Sequence, residues 1–242
     1  MIRAIRYLVA LGLLTLVHAG TVVVAALLGV KHRSGGVYDR AQRRWGSGLL
    51  RWTGITVEVD GRERLDPAVP TVYIANHESF VDIWALLARL PGSIRFVFKK
   101  EMNRIPLMGL AMRRMQHIPI DRKNLSAAFA AYDEAAGLIR GGISAVVFAE
   151  GTRSRDGRLH TFKKGPFVLA IAAGARVVPI LCEHTFEALP KGSLRPRPGP
   201  VLLRIGTPIP TAGMTYADRE RLSRAAREQL IALGGDPVDI PA

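Results

Sequence analysis

The sequence predicts an α/β fold, a largely parallel or mixed sheet flanked by helices and preceded by a hydrophobic helical segment. Short apolar runs rich in β-branched residues recur from about Ile55 onward. Several are apolar throughout, which implies strands buried on both faces. Between them lie stretches of helical periodicity, and strands alternating with helices argue for parallel pairing.

The first element is the run from Tyr7 to Val30, which contains no Asp, Glu, Lys or Arg. As a helix it reaches about 36 Å, enough to cross a hydrocarbon layer of about 30 Å with some tilt. Arg3 and Arg6 precede it, and the heavier basic flank of Lys31, Arg33, Arg40, Arg43 and Arg44 follows. That asymmetry leaves the rest of the chain on the cytoplasmic side of a cell membrane. The apolar stretch exceeds the core of a cleaved signal peptide. A second geometry is a helical pair dipping into one leaflet. Gly20 or the Gly35-Gly36 step would form its bend, and Val37 to Trp52 would be an amphipathic helix carrying Trp45, Leu49, Leu50 and Trp52. Residues 1–52 are therefore read as a membrane-anchoring segment and 53–242 as one globular domain.

Within the globular part, strands are predicted at Thr56 to Val59, Val72 to Asn76, Ile94 to Phe98, His117 to Ile120, Ser144 to Phe148, Val177 to Leu181 and Val201 to Ile205. Helices are predicted at Ile83 to Leu90, Leu107 to Arg114, Leu125 to Arg140, Phe167 to Ala173 and Tyr216 to Leu233. The stretch from Arg195 to Pro200 reads as an extended, proline-rich connection.

The formal charge of +14 points to polyanionic partners, anionic membrane lipid foremost. Nucleic acid is disfavoured, because no zinc-finger spacing and no interleaving of aromatic with basic residues occurs. The single cysteine, Cys182, excludes an intrachain disulfide and a cysteine metal cluster. No metal site and no cofactor is expected.

Parallel sheets bind ligands beyond the carboxyl ends of their strands. There the sequence sets Asn76-His77, Lys99-Lys100, Asp121-Arg122 and Glu150-Gly151-Thr152-Arg153. A histidine takes a proton from an alcohol near neutrality, and Asp82, five residues on, reaches back to it if a helix starts near Ser79. No Gly-x-Ser-x-Gly elbow supplies a protein nucleophile, so direct transfer to an acceptor hydroxyl is favoured over an acyl-enzyme. Gly151 lets the backbone approach a ligand closely, Thr152 offers a hydroxyl, and Arg153 offers a guanidinium suited to phosphate. Arg122, with Lys163 or Lys164, adds positive charge.

Asn76-His77 through Asp82, Ile118 to Arg122, Phe148 to Ser154 and Val178-Pro179-Ile180 stand in the order and approximate spacing of the four motifs of the glycerolipid acyltransferases. Over roughly residues 55 to 210 the chain resembles that family, and within it the 1-acylglycerol-3-phosphate acyltransferases. The resemblance implies a glycerolipid acyltransferase-like fold and transfer of a fatty acyl group from acyl-CoA or acyl carrier protein, as co-substrate, to the hydroxyl of a lysophosphatidate. It implies His77 as general base, Asp82 as its partner and Lys99 near the reacting centre as oxyanion support. It also implies Arg122, Glu150, Gly151, Thr152 and Arg153 as ligands of the acceptor phosphate. Another lyso-lipid acceptor, such as a lyso-ornithine lipid, another lysophospholipid or a glycolipid, fits the same motifs, and a non-catalytic membrane-binding protein is the contrasting class. Two departures stand out. Ala149 replaces the family's usual proline, and Met115-Gln116-His117 stands where a glycine is usual.

Overall fold

The computed structural model describes residues 2–121 and 123–238. Seven strands form one sheet, β1 (Ile55–Asp60), β2 (Thr71–Ala75), β3 (Ile94–Lys99), β4 (Ile118–Ile120), β5 (Ser144–Phe148), β6 (Arg176–Glu183) and β7 (Gly199–Ile205), in the order β1-β7-β6-β2-β5-β3-β4. All neighbours run parallel except β6 and β7, which are antiparallel. The sheet is thus mixed, as the strand pattern allows.

Central strand β2 explains the unbroken apolar runs. Tyr73 and Ala75 face one core with Trp84, Leu86 and Val146, whereas Val72 and Ile74 face a second core with Ala136, Phe167 and Leu169. Alternation persists in direction but not in polarity, because both faces are covered. Helix α3 (Phe80–Arg89) packs on the first face. Helices α5 (Leu125–Arg140), α6 (Gly165–Ala173) and α8 (Arg219–Ala232) cover the second.

The amino-terminal segment is a pair of helices, α1 (Ile2–Leu27) and α2 (Val37–Thr53). Gly20 lies within uninterrupted helix, and the chain reverses over residues 28–36, where Gly29 and Gly35 take φ +70° and +67°. The expectation that α2 presents Leu49 and Leu50 to lipid is corrected. Both are buried beside Trp84 and Ile55, because α2 packs between α1 and α3. Polar groups fix that packing. Asp39 of α2 is 1% exposed, pairs with Arg95 Nη1 at 2.8 Å and also accepts from Ser93 Oγ. Tyr7 of α1 stacks obliquely on Trp84 at 5.8 Å, and Trp45 Nε1 donates to Thr15 Oγ1 at 3.0 Å. The opposite face of α1 exposes Leu8, Leu13, Leu16, Val17, Val24 and Leu27.

Three short elements among the described residues escape the periodicity, the 3₁₀ segments at Arg62–Arg64 and Lys100–Arg104 and helix α7 (Thr185–Ala188). Each is too brief for an amphipathic pattern to register. Helix α4 (Met108–Arg114) packs against α1 and the Lys100–Arg104 segment.

Candidate active site

β2 lies between β5 and β6 in parallel register, so the segments after all three strands emerge on one side of the sheet. The His77 loop follows β2, and Ala149 to Arg153 follow β5. Asn76 secures the loop to β6. Its Oδ1 accepts the Cys182 N–H at 2.7 Å, and its Nδ2 donates to Cys182 O at 2.9 Å. This side chain continues the ladder where β2 ends.

Ser79 then starts α3. Its hydroxyl accepts the Val81 N–H at 3.1 Å, while Asp82 Oδ2 accepts the Ser79 N–H at 2.9 Å, so the two residues form a reciprocal cap. The same Asp82 oxygen accepts the Glu78 N–H at 2.8 Å and lies 2.7 Å from His77 Nδ1. Capping geometry therefore places the carboxylate, fully buried, at the first turn of a helix whose dipole favours its negative charge. With Nδ1 turned to the Asp82 carboxylate, the other ring nitrogen of His77, Nε2, makes no hydrogen bond among the described residues. The imidazole stacks on Phe148 with centroids 3.8 Å apart and planes 11° off parallel, which fixes the second angle of the ring.

Glu150 departs from the phosphate-binding role the resemblance implies. It is 5% exposed, and its two oxygens accept the backbone N–H groups of His77 at 3.0 Å and His160 at 3.2 Å. Its oxygens are turned inward and hold the main chain of His77 and His160 rather than facing the cavity. Burial pushes Glu150 up to about 7, although those N–H groups oppose the rise. Glu78, half-buried and near the Asp82 charge, is pushed up to about 8, desolvation being the larger cause. Its Oε1 accepts from Asn76 Nδ2 at 2.9 Å.

The other predicted residues border a cavity of about 1130 Å³ that opens at His77. Gly151, at φ +75°, Thr152 and Arg153 form part of its rim. The Arg153 guanidinium lies 4.2 Å above the Phe80 ring, and Lys191 Nζ donates to Arg153 O at 3.0 Å. Lys99 lines the same cavity, half exposed, with its Nζ 3.6 Å from Glu101 Oε1. Arg122 lies outside the described residues. Sequence reasoning missed Lys191, which arrives from the segment after α7 and has no motif around it. It also missed the part of the amino-terminal helices: Tyr7 and Leu11 of α1 and Trp45 of α2 form an apolar wall of this cavity together with Trp84, Phe96 and Met115. The space is therefore amphipathic, basic at the rim with Lys163 and Lys191 and apolar beneath the helix pair.

Comparison with known proteins agrees with this arrangement. Residues 56–183 match the Acyltransferase family. The chloroplastic 1-acyl-sn-glycerol-3-phosphate acyltransferase of Brassica napus is 36% identical over 165 residues, 65% of this chain and 48% of that protein. A 1-acyl-sn-glycerol-3-phosphate acyltransferase of Limnanthes douglasii is 38% identical over 170 residues, 69% of this chain and 60% of that one. The chain thus spans about half to three fifths of the length of these relatives. The crystal structure of the 1-acyl-sn-glycerophosphate acyltransferase PlsC of Thermotoga maritima superimposes with a TM-score of 0.77 over 96% of both chains at 23% identity, which shows a shared fold.

Proposed function

The chain belongs to the Acyltransferase family, and from that premise we propose that it moves a fatty acyl group from a thioester, acyl-CoA or acyl carrier protein, to the free hydroxyl of 1-acylglycerol-3-phosphate, giving phosphatidate. The observation that carries this reading is the His77–Asp82 pair at 2.7 Å, its free Nε2 set between an apolar cavity and a basic rim.

His77 Nε2 takes the proton of the acceptor hydroxyl as the oxygen attacks the thioester carbonyl. Asp82 holds the tautomer and offsets the charge of the imidazolium that forms. The tetrahedral intermediate expels the thiolate, which receives the proton from His77. Lys99, half exposed at the cavity edge, is assigned to the oxyanion. Thr152, Arg153 and Arg122 are assigned to the acceptor phosphate, with Lys163 and Lys191 adding positive potential. An apolar cavity wall accommodates an acyl chain without a further group.

The exposed apolar face of α1 suits insertion beside the catalytic domain, with the long axis of the helix held along the protein by Tyr7 and Thr15. This supports attachment to one leaflet of a cell membrane, the catalytic domain facing the cytoplasm and basic residues meeting anionic lipid.

The test is thiol release from acyl-CoA in the presence of lysophosphatidate, with mass-spectrometric identification of the lipid product. The wild-type chain should release thiol only with acceptor present, and His77→Ala should abolish release while melting normally. Equal release by His77→Ala would sink the mechanism. Product from lyso-ornithine lipid or a lysoglycolipid in place of lysophosphatidate would reassign the acceptor.

A further inference from the structure

The inner end of the cavity holds polar groups that the reaction does not use. His117, at the entrance to β4, is 8% exposed and lines the cavity. Its Nδ1 accepts the Phe96 N–H at 2.9 Å, which leaves the ring proton on Nε2. That Nε2–H has no partner among the described residues. Burial first, and the Arg95 charge second, push His117 down to about 3, so the ring stays neutral and its N–H stays a donor.

Gln42 of α2, 4% exposed, lines the same cavity. Its Nε2 donates to Ile94 O at 3.1 Å, which identifies the remaining amide atom as Oε1, and that oxygen has no partner. Ile94 and Phe96 flank Arg95 on β3, whereas β4 pairs with β3 only from Val97 onward. The Ile94 C=O and Phe96 N–H leave the same side of the strand, and two residues of strand advance by about 7 Å. Gln42 and His117 thus take up the two β3 groups that β4 leaves unpaired here. The walls above them are apolar, including Trp45, Met112 and Met115. The buried acceptor Gln42 Oε1, left open in such a space, carries a desolvation penalty that a ligand O–H would remove.

Distance from the base bounds where that oxygen sits. Ring centroids step from His77 to Phe148, Phe96 and His117 by 3.8, 5.9 and 6.1 Å. The His117 ring is therefore at most about 16 Å from His77, on the order of a dozen carbon–carbon bonds of extended chain at about 1.3 Å advance each.

We propose that Gln42 and His117 form an oxygen-binding floor to the acyl cavity, by which this protein selects an acyl donor bearing a hydroxyl group within its first dozen or so carbons. The hydroxyl oxygen accepts from His117 Nε2–H and its proton is donated to Gln42 Oε1. No bond is made or broken at the floor. The inference rests on the acyl-transfer reading above.

The experiment compares saturated acyl thioesters of equal length, plain or carrying one hydroxyl at successive carbons, in competition for lysophosphatidate. The corresponding free fatty acids are titrated in parallel against the fluorescence of Trp45 and Trp84, which requires no turnover. One hydroxylated isomer should outcompete the plain chain by about tenfold or more in both assays. His117→Asn keeps an acceptor for the Phe96 N–H but withdraws the deeper donor, and should bring the ratio close to one; Gln42→Leu should lower it too. Melting curves establish that both variants fold. Equal or better use of plain chains, the result expected if water fills the floor, overturns the proposal, as does a ratio that neither variant changes. Turnover of plain donors without hydroxyl discrimination defeats this inference and leaves the acyl-transfer reading standing. Failure to turn over any donor defeats that reading, and the fatty-acid titration then still decides the floor.

Discussion

Glu150 Oε1 accepts the backbone N–H of His77 at 3.0 Å, so the glutamate of the Glu-Gly-Thr-Arg segment holds the His77 loop. The second oxygen holds the His160 N–H at 3.2 Å. Two loops after neighbouring parallel strands are thereby tied through one buried side chain.

Glu150→Gln should therefore lower kcat and leave the KM for lysophosphatidate nearly unchanged. An amide offers only one acceptor for two N–H groups and turns an NH₂ toward the other. A displacement of the base by about 1 Å costs on the order of a hundredfold in rate. Steady-state kinetics check this, and a selective rise in acceptor KM would restore Glu150 to the phosphate site.

Asp82→Asn should reduce kcat by at least about a hundredfold while the protein remains folded, with a modest loss of stability. One Asp82 oxygen serves the His77 ring and the N–H groups of Glu78 and Ser79. An amide oxygen can keep the cap, but it carries no charge to stabilise the imidazolium. Thiol-release kinetics alongside a thermal melt separate the two effects.

Stability should fall as pH rises from about 5 to about 8. Glu78 and Glu150 have pKa values raised in the folded chain to about 8 and about 7, principally by burial. The native state therefore binds more protons than the unfolded one between the ordinary carboxyl range and those values. Their contribution is complete below the unfolded pKa and is lost as pH passes the folded one. Each group contributes a slope of up to about 1.4 kcal/mol per pH unit in that window. Glu78→Gln keeps an acceptor for Asn76 Nδ2 and should flatten the decline, which denaturant midpoints measured across this range would reveal.

Leu13→Lys combined with Leu16→Lys should weaken binding to vesicles containing anionic lipid by at least about tenfold, without lowering the melting temperature. Both side chains are more than half exposed, and fully burying a leucine is worth about 1.5–3 kcal/mol. Co-sedimentation is the readout. Unchanged binding would show that this face of α1 does not enter the lipid.

Much of the fold is local in origin and could be read early. Ser144 to Phe148 and Leu125 to Arg140 begin and end where periodicity sets them. The capping residues Ser79 and Asp82 announce the start of α3, although periodicity alone begins that helix later, at Ile83. Helix α2 was misread for a physical reason: an amphipathic helix has the same pattern whether its apolar stripe meets lipid or α3. Lys191 carried no signal because it stands alone in a loop that only folding brings to Arg153.

By itself the sequence determined the layer order of strands and helices, the His77–Asp82 pairing and the presence of an apolar amino-terminal helix. These follow from periodicity and from contacts between residues close in the chain. Tertiary structure alone decided that β6 and β7 run antiparallel, that Glu150 faces the His77 backbone, and that α1 and α2 wall the cavity. Each of these joins groups far apart in sequence, and their energies depend on desolvation and on the direction of a donor. Neither quantity is encoded in any single stretch of residues.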